Sequence, residues 1–176
     1  MAIYFTADTH LGHKNVIDYC IRPFSTVEEM DQSIIDNWNS VIGRKDTVYH
    51  LGDFSLGGFE QFVLYIMRLN GRIKIVPGGH DYRWIKGGKE FVAPSNTGHF
   101  AELLPALSEI KHNKRTFVLC HYPIESWRKK YYGSIHLHGH SHGNLEKKEK
   151  NRIDVGIDCW KYYPVSLETI LLNAEE

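Results

Sequence analysis

Along this chain, short β-rich runs repeatedly break off into Asp or His, and that recurrence constrains the fold more than any other feature. Residues 3–7 give way to Asp8 and His10, and residues 47–51 to Gly52 and Asp53. Residues 72–76 run into Pro77, Gly78, Gly79, His80 and Asp81. Residues 116–120 end at His121, and residues 135–138 at Gly139, His140, Ser141 and His142. Helical patterns lie between the first three runs. Val27, Met30, Ile34, Trp38 and Val41 recur at three- and four-residue spacing, one apolar stripe about four turns long. Ser25 with Glu28 makes a capping-box start for it, and Gly43 a stop. Phe62, Ile66 and Leu69 mark a second helix, closed by Asn70-Gly71. Strands alternating with helices define an α/β chain, and in such folds ligands gather beyond the carboxyl ends of the strands. Five such ends can bring residues from 8 to 142 to one place. Further along, residues 85–106 read as loop and 146–150 as a solvated charged turn. Residues 153–157 read as a strand, and 166–172 as a closing strand or a short helix.

Composition sets the outer bounds. A chain of 176 residues suits one domain, here 1–176, with a sizeable core. Lys plus Arg number 21 and Asp plus Glu 21, so nothing points to a basic nucleic-acid track or a polybasic membrane surface. Cys20, Cys120 and Cys159 form no close pair and read as reduced thiols. The first residues look like a strand and not a secretion signal, and no apolar run approaches the roughly 20 residues of a membrane span. A cytoplasmic protein is expected, its oligomeric state left open. Eleven His is the one excess, and imidazole is the commonest protein ligand for metals.

The strand ends hold two Asp and four His, namely Asp8, Asp53, His10, His121, His140 and His142. That set exceeds the needs of one tetrahedral zinc, and the mixed donors suit Mn, Fe, Zn or Ni. It suits a pair of cations roughly 3.5–4 Å apart, which can polarise a phosphoryl oxygen while holding a nucleophile in line. The motifs Asp8-Thr9-His10, Gly52-Asp53, Gly78-Gly79-His80-Asp81, His121 and Gly139-His140-Ser141-His142 come in one order, and together they are specific where each alone is weak.

This order resembles the calcineurin-like metallophosphoesterase superfamily, in particular its small uncapped bacterial and phage members. The resemblance implies two mixed β-sheets packed as a sandwich between helices. It implies two divalent metals, manganese preferred, and hydrolysis of a phosphate ester, a phosphodiester before others because little chain remains to build a cap. Asp8, His10 and His142 would hold the first metal, His121 and His140 the second, and Asp53 would bridge them. His80, backed by Asp81, would stabilise the phosphoryl oxygens or protonate the leaving group. The alternatives are a monoesterase acting on a nucleotide or phosphoprotein, and a binding scaffold with impaired catalysis.

That scaffold alternative rests on Gly79. The family has Asn there, a second-metal ligand that also touches phosphate, whereas glycine offers no side chain. A variant with a replacement ligand, an engineered change and a loss of catalysis all remain open, with an intact enzyme preferred because every other motif residue is present. His13 is a candidate for the substrate pocket, and His136 or His138 for orienting a ligand. His50 is expected to be structural, His99 and His112 to lie at the surface, and Cys120 to be a small core residue. Arg22, Arg83, Lys86 and Arg128 are candidates to meet phosphate, and Tyr82, Trp84, Trp127, Tyr131 and Tyr132 to stack on a base.

Overall fold

In the computed structural model, residues 1–85, 94–99, 101–147 and 149–175 are described. Lys86, Gly87 and Gly88, with the rest of 86–93 and residue 100, lie outside that set, and in the described remainder of the expected 85–106 loop Glu102–Leu103 form a strand. In chain order the elements are β1 (Ile3–Thr6), α1 (Val16–Tyr19), α2 (Val27–Val41), β2 (Thr47–His50), α3 (Phe59–Ile66), β3 (Arg72–Ile75), α4 (Tyr82–Ile85), β4 (Glu102–Leu103), β5 (Leu107–His112), β6 (Arg115–Cys120), β7 (Ile135–His138), β8 (Arg152–Asp154), β9 (Val165–Ser166) and α5 (Leu167–Glu175).

They build two mixed sheets. The first has the order β4-β3-β2-β1-β9, parallel except for β9; the second has the order β5-β6-β7-β8, parallel except for β5. Alternation along β1 serves two cores at once, because successive side chains point to opposite faces. Phe5 joins Leu51, Val76, Phe117, Leu119 and Leu137 between the sheets, stacked on Phe117 at 6.1 Å, while Tyr4 packs on the outer core. In that outer core, Met30, Ile34, Ile35 and Trp38 of α2 meet Val48, Ile73 and Ile75 of the first sheet, with Phe62 and Ile66 of α3 beside them. The apolar stripe read from the sequence is the face that α2 buries. Helix α5 adds Leu167 and Ile170 to the core between the sheets.

Several boundaries differ from expectation. Thr26, and not Ser25, caps α2: it has extended backbone and accepts from the Glu29 amide at 3.2 Å. The Glu29 carboxylate accepts from the Ser25 amide at 2.8 Å, one residue before the cap. The capping pair thus starts one residue later than expected, and its return bond goes to the residue preceding Thr26. Residues 166–172 combine both expected forms, β9 followed by α5. The strand expected over 153–157 stops at Asp154, and a 3-10 turn takes Ile157–Cys159. Cys120 is half-buried and not fully in the core. His50, expected to be structural, is buried, and His99 and His112, expected at the surface, are half-buried. No helix among the described residues is long and apolar enough to cross a membrane.

Parallel pairing positions the site. Because β1 runs alongside β2 with Thr6 opposite His50, the two chains leave the sheet together. The Asp8 amide donates to the Gly52 carbonyl and the His10 amide to the Asp53 carbonyl, both at 3.0 Å. An isolated parallel bridge between Ala7 and Gly156 joins the carboxyl edge of the first sheet to that of the second.

Candidate metal centre

At this joined edge the ligand-type residues gather into groups. Asp8, His10 and His142 offer donor atoms within 4.8 Å of one another, and so do Asp53, His121 and His140. Two further groups at the same separation overlap them: His10, Asp53 and His80, and Cys20, His142 and Asp158. The two main groups touch through Asp53, whose Oδ2 lies 3.4 Å from His121 Nε2 and 3.7 Å from His10 Nε2.

The backbone here is unusual in a way that bears on function. Asp8, His10, Asp53, His140 and His142 all have positive φ, from 46° to 67°. A non-glycine residue in this region carries strain of about 1–3 kcal/mol, and such residues persist where their surroundings over-determine them, often at functional sites. The surroundings can be named. Asp81 is fully buried, and its carboxylate accepts from the amides of Asp53, Phe54 and Gly78 at 2.8–2.9 Å and from the Trp84 indole at 3.0 Å. The Asp8 carboxylate accepts from the His140 amide with both oxygens, at 2.9 and 3.0 Å. Gly78 is obligatory, since a Cβ on it would overlap the Asp53 carboxylate.

Burial and charge then divide the titrating groups. Burial drives His10 well below the usual histidine value, Asp53 only partly offsetting it, and burial with the nearby His121 also lowers His140. These rings are therefore neutral, as metal ligation requires. Burial pushes Asp8 up to about 7 against the pull of His142 and His121. Burial also works against the charged forms of Asp53 and His121, but each outweighs it for the other. Asp53 is held well below the usual carboxylate range and His121 is lifted to about 9.

The His121–Asp53 contact tests whether these residues fit a cation. His121 Nδ1 lies 2.8 Å from the Leu51 carbonyl, so the ring proton belongs there. That leaves Nε2, buried without a hydrogen-bond partner, facing the Asp53 carboxylate. A positive charge must lie with this pair. A second ring proton supplies it in the metal-free protein, which is why Asp53 lifts His121. A divalent cation can take that proton's place, together with the oxygen and imidazole donors around it.

Some expected residues take other places. The Asp81 carboxylate is engaged with the turn, and among the described residues no hydrogen bond or ion pair joins it to the His80 ring. The His80 amide instead donates to Asp53 Oδ1 at 2.9 Å, and its ring stands half-exposed against His10 and His13. His13 and Gly79 line the same cavity of about 460 Å³ as His80 and His140. His138 is buried outside both groups, its Nδ1 2.8 Å from the Gly139 carbonyl, and it borders a separate cavity with Asp154 and Cys159. Arg22 cannot meet phosphate, since its side chain is fully buried. It donates to both Asp158 oxygens at 2.8 and 2.9 Å and to the carbonyls of Asp8 and Thr9. Arg128 is an exposed partner of Glu109, Trp84 and Trp127 are buried, and Tyr82, Tyr131 and Tyr132 are exposed without lining the cavity.

Asp158 is the residue that sequence reasoning missed. Its Oδ2 lies 2.7 Å from His142 Nδ1, which leaves Nε2 of that ring for a metal. The signal was available: Asp158 follows a β-rich run directly, as Asp8 and His121 do.

Comparison with known proteins assigns the chain to one family. The chain belongs to the calcineurin-like phosphoesterase superfamily, whose domain model matches residues 1–164. It is 36% identical over 183 positions to an uncharacterized protein of Methanocaldococcus jannaschii, covering 99% of this chain and 92% of that one. It is 28% identical to the gene 66 protein of Mycobacterium phage L5, with 89% and 86% covered. Among solved structures, a protein of unknown function from Aquifex aeolicus shares the fold with a TM-score of 0.74 at 24% identity, over 97% of this chain and 98% of that one.

Proposed function

We propose that this chain is a metal-dependent phosphoesterase that holds two divalent cations side by side. Asp8, His10 and His142 would hold the first, His121 and His140 the second, and Asp53 would serve both. The observation that carries this reading is the Asp53 carboxylate, one oxygen of which stands within 3.7 Å of an imidazole nitrogen from each group. Two such cations, when bound, polarise a phosphoryl oxygen and lower the pKa of the attacking water.

The chain's own residues do the rest. Asp158 orients His142, and the Leu51 carbonyl orients His121, so each ring presents Nε2. Asp81 fixes the turn that carries Asp53 and His80. His80 lines the cavity, its half-exposed ring 4.0 Å from Asp53 Oδ2, where it could meet a phosphoryl oxygen or give a proton to the leaving alcohol. A phosphodiester is the preferred substrate, because His80 and Tyr122, each about half exposed, leave the mouth open to a second ester group. Manganese suits the mixed imidazole and carboxylate donors.

Exhaustive chelation is expected to abolish hydrolysis of bis-p-nitrophenyl phosphate, and added manganese to restore it. Hydrolysis that survives chelation would rule this reading out. Faster turnover of p-nitrophenyl phosphate than of the diester would make it a monoesterase, and no turnover of either with metals bound would leave a binding scaffold.

A further inference from the structure

The glycine at 79 is not demanded by the fold. Unlike Gly78, it would accept a Cβ, which meets only one heavy atom within 4 Å: the Tyr122 hydroxyl, 3.2 Å away. Its φ lies outside the left-handed region that favours glycine. The space beside Gly79 is therefore taken by a phenol group from another strand end.

Tyr122 is placed for use. It follows His121 directly, and its ring stands edge-on to His121 and to His140, each 4.8 Å between centroids. It lines the cavity that holds His80 and Asp53, and it is 46% exposed. Among the described residues, no hydrogen bond is found from its hydroxyl to protein. The segment that carries it is pinned from below. Buried His136 accepts at Nε2 from the Ile124 amide at 3.2 Å and sits with Nδ1 3.0 Å from the Val118 carbonyl.

We propose that the Tyr122 hydroxyl takes the place left vacant by Gly79 and donates a hydrogen bond to a phosphoryl oxygen of the substrate, on the side of Asp53, His121 and His140. This rests on the phosphoesterase reading above. A phenol O–H is a neutral donor suited to an anionic oxygen, and a hydrogen bond to a charged group contributes enough to binding to be measured. Tyr122 contacts the ligand and not the metals, so its loss should separate phosphate binding from metal binding. A short amide side chain at 79 and a phenol at 122 compete for one space.

The test uses the full chain loaded with manganese, and calorimetry with manganese and then with inorganic phosphate. Tyr122→Phe is expected to bind as much manganese as the wild type and to bind phosphate about tenfold more weakly, in line with the loss of one charged hydrogen bond. Gly79→Asn combined with Tyr122→Phe is expected to regain phosphate affinity, because the amide enters the vacated space. Unchanged phosphate affinity in Tyr122→Phe would overturn the proposal, and so would loss of a manganese, which would make the phenol a metal ligand. A wild type that binds manganese but neither phosphate nor ester substrates would overturn the phosphoesterase reading itself. A wild type that binds phosphate as tightly as Tyr122→Phe would leave that reading standing and overturn only the role of Tyr122.

Discussion

The two residue groups meet at Asp53 but are built differently. On the side of Asp8, His10 and His142, the chain braces the ligands from behind. Asp158 holds His142, fully buried Arg22 holds Asp158, and the same guanidinium reaches the Asp8 carbonyl. On the other side His121 is braced by the Leu51 carbonyl, but His140 is exposed and no hydrogen bond to its ring is found among the described residues. The residue at 79 adds nothing there. Partners behind a ligand fix its orientation and raise its basicity, so the first group should bind a cation more tightly than the second.

The most disruptive change is at the shared carboxylate. Asp53→Asn should cost both cations and at least about a thousandfold in diester hydrolysis, since metal charge contributes several kcal/mol at the transition state. A variant that keeps one full site would break the claim that Asp53 serves both, and metal analysis beside kinetics decides it.

Asp158→Asn comes next, and it should affect one side only. Loss of such a partner weakens metal affinity about 10–100-fold, here in the tighter of two binding events. The melting temperature should fall as well, because buried Arg22 loses its counter-charge, a change on the order of 3 kcal/mol. Equal weakening of both events would merge the two groups into one.

His140→Asn removes a proposed ligand itself, so the weaker event should lose at least about 10–100-fold, but the effect stays on that side and does not reach folding. Asn tolerates the positive φ at 140, and the exposed side chain contributes little to folding, so the melting temperature should stay put.

The smallest effect concerns His136, the support of the segment bearing Tyr122 on the weaker side. Burial pushes it down to about 4, so the unfolded chain takes up a proton below the usual histidine value that the fold refuses until pH nears 4. Its contribution to stability is complete above pH 6.5 and declines on acidification. The advantage of the wild type over His136→Gln should shrink by about 1 kcal/mol between pH 6.5 and 5.5. Chemical denaturation of the metal-free protein at the two pH values measures it, and a constant difference would contradict the assignment.

The braced side was also the less legible one in sequence. Asp8, His10 and His142 stand out because they follow apolar β-rich runs, but Arg22 and Asp158 are 136 residues apart and meet only through tertiary packing. Asp81 is legible through its motif but its contacts are not, since a sequence does not tell which amides a carboxylate will accept from. Strand β5 escaped notice for a different reason. As an edge strand it alternates exposed with half-buried residues, and Ile110 is its only side chain in the core between the sheets. The apolar rhythm that revealed β6 and α2 is absent there. Tyr122 carries no signal at all, because what marks it is its distance to a glycine on another strand end.

Manganese titration of the metal-free wild type by calorimetry, repeated with Asp158→Asn, tests the central claim most directly. Two binding events of unequal affinity are predicted, with the substitution weakening the tighter one and leaving the weaker one in place. A single event, or two events that the substitution leaves untouched, would contradict a pair of cation sites built around Asp53 with one side braced and the other bare.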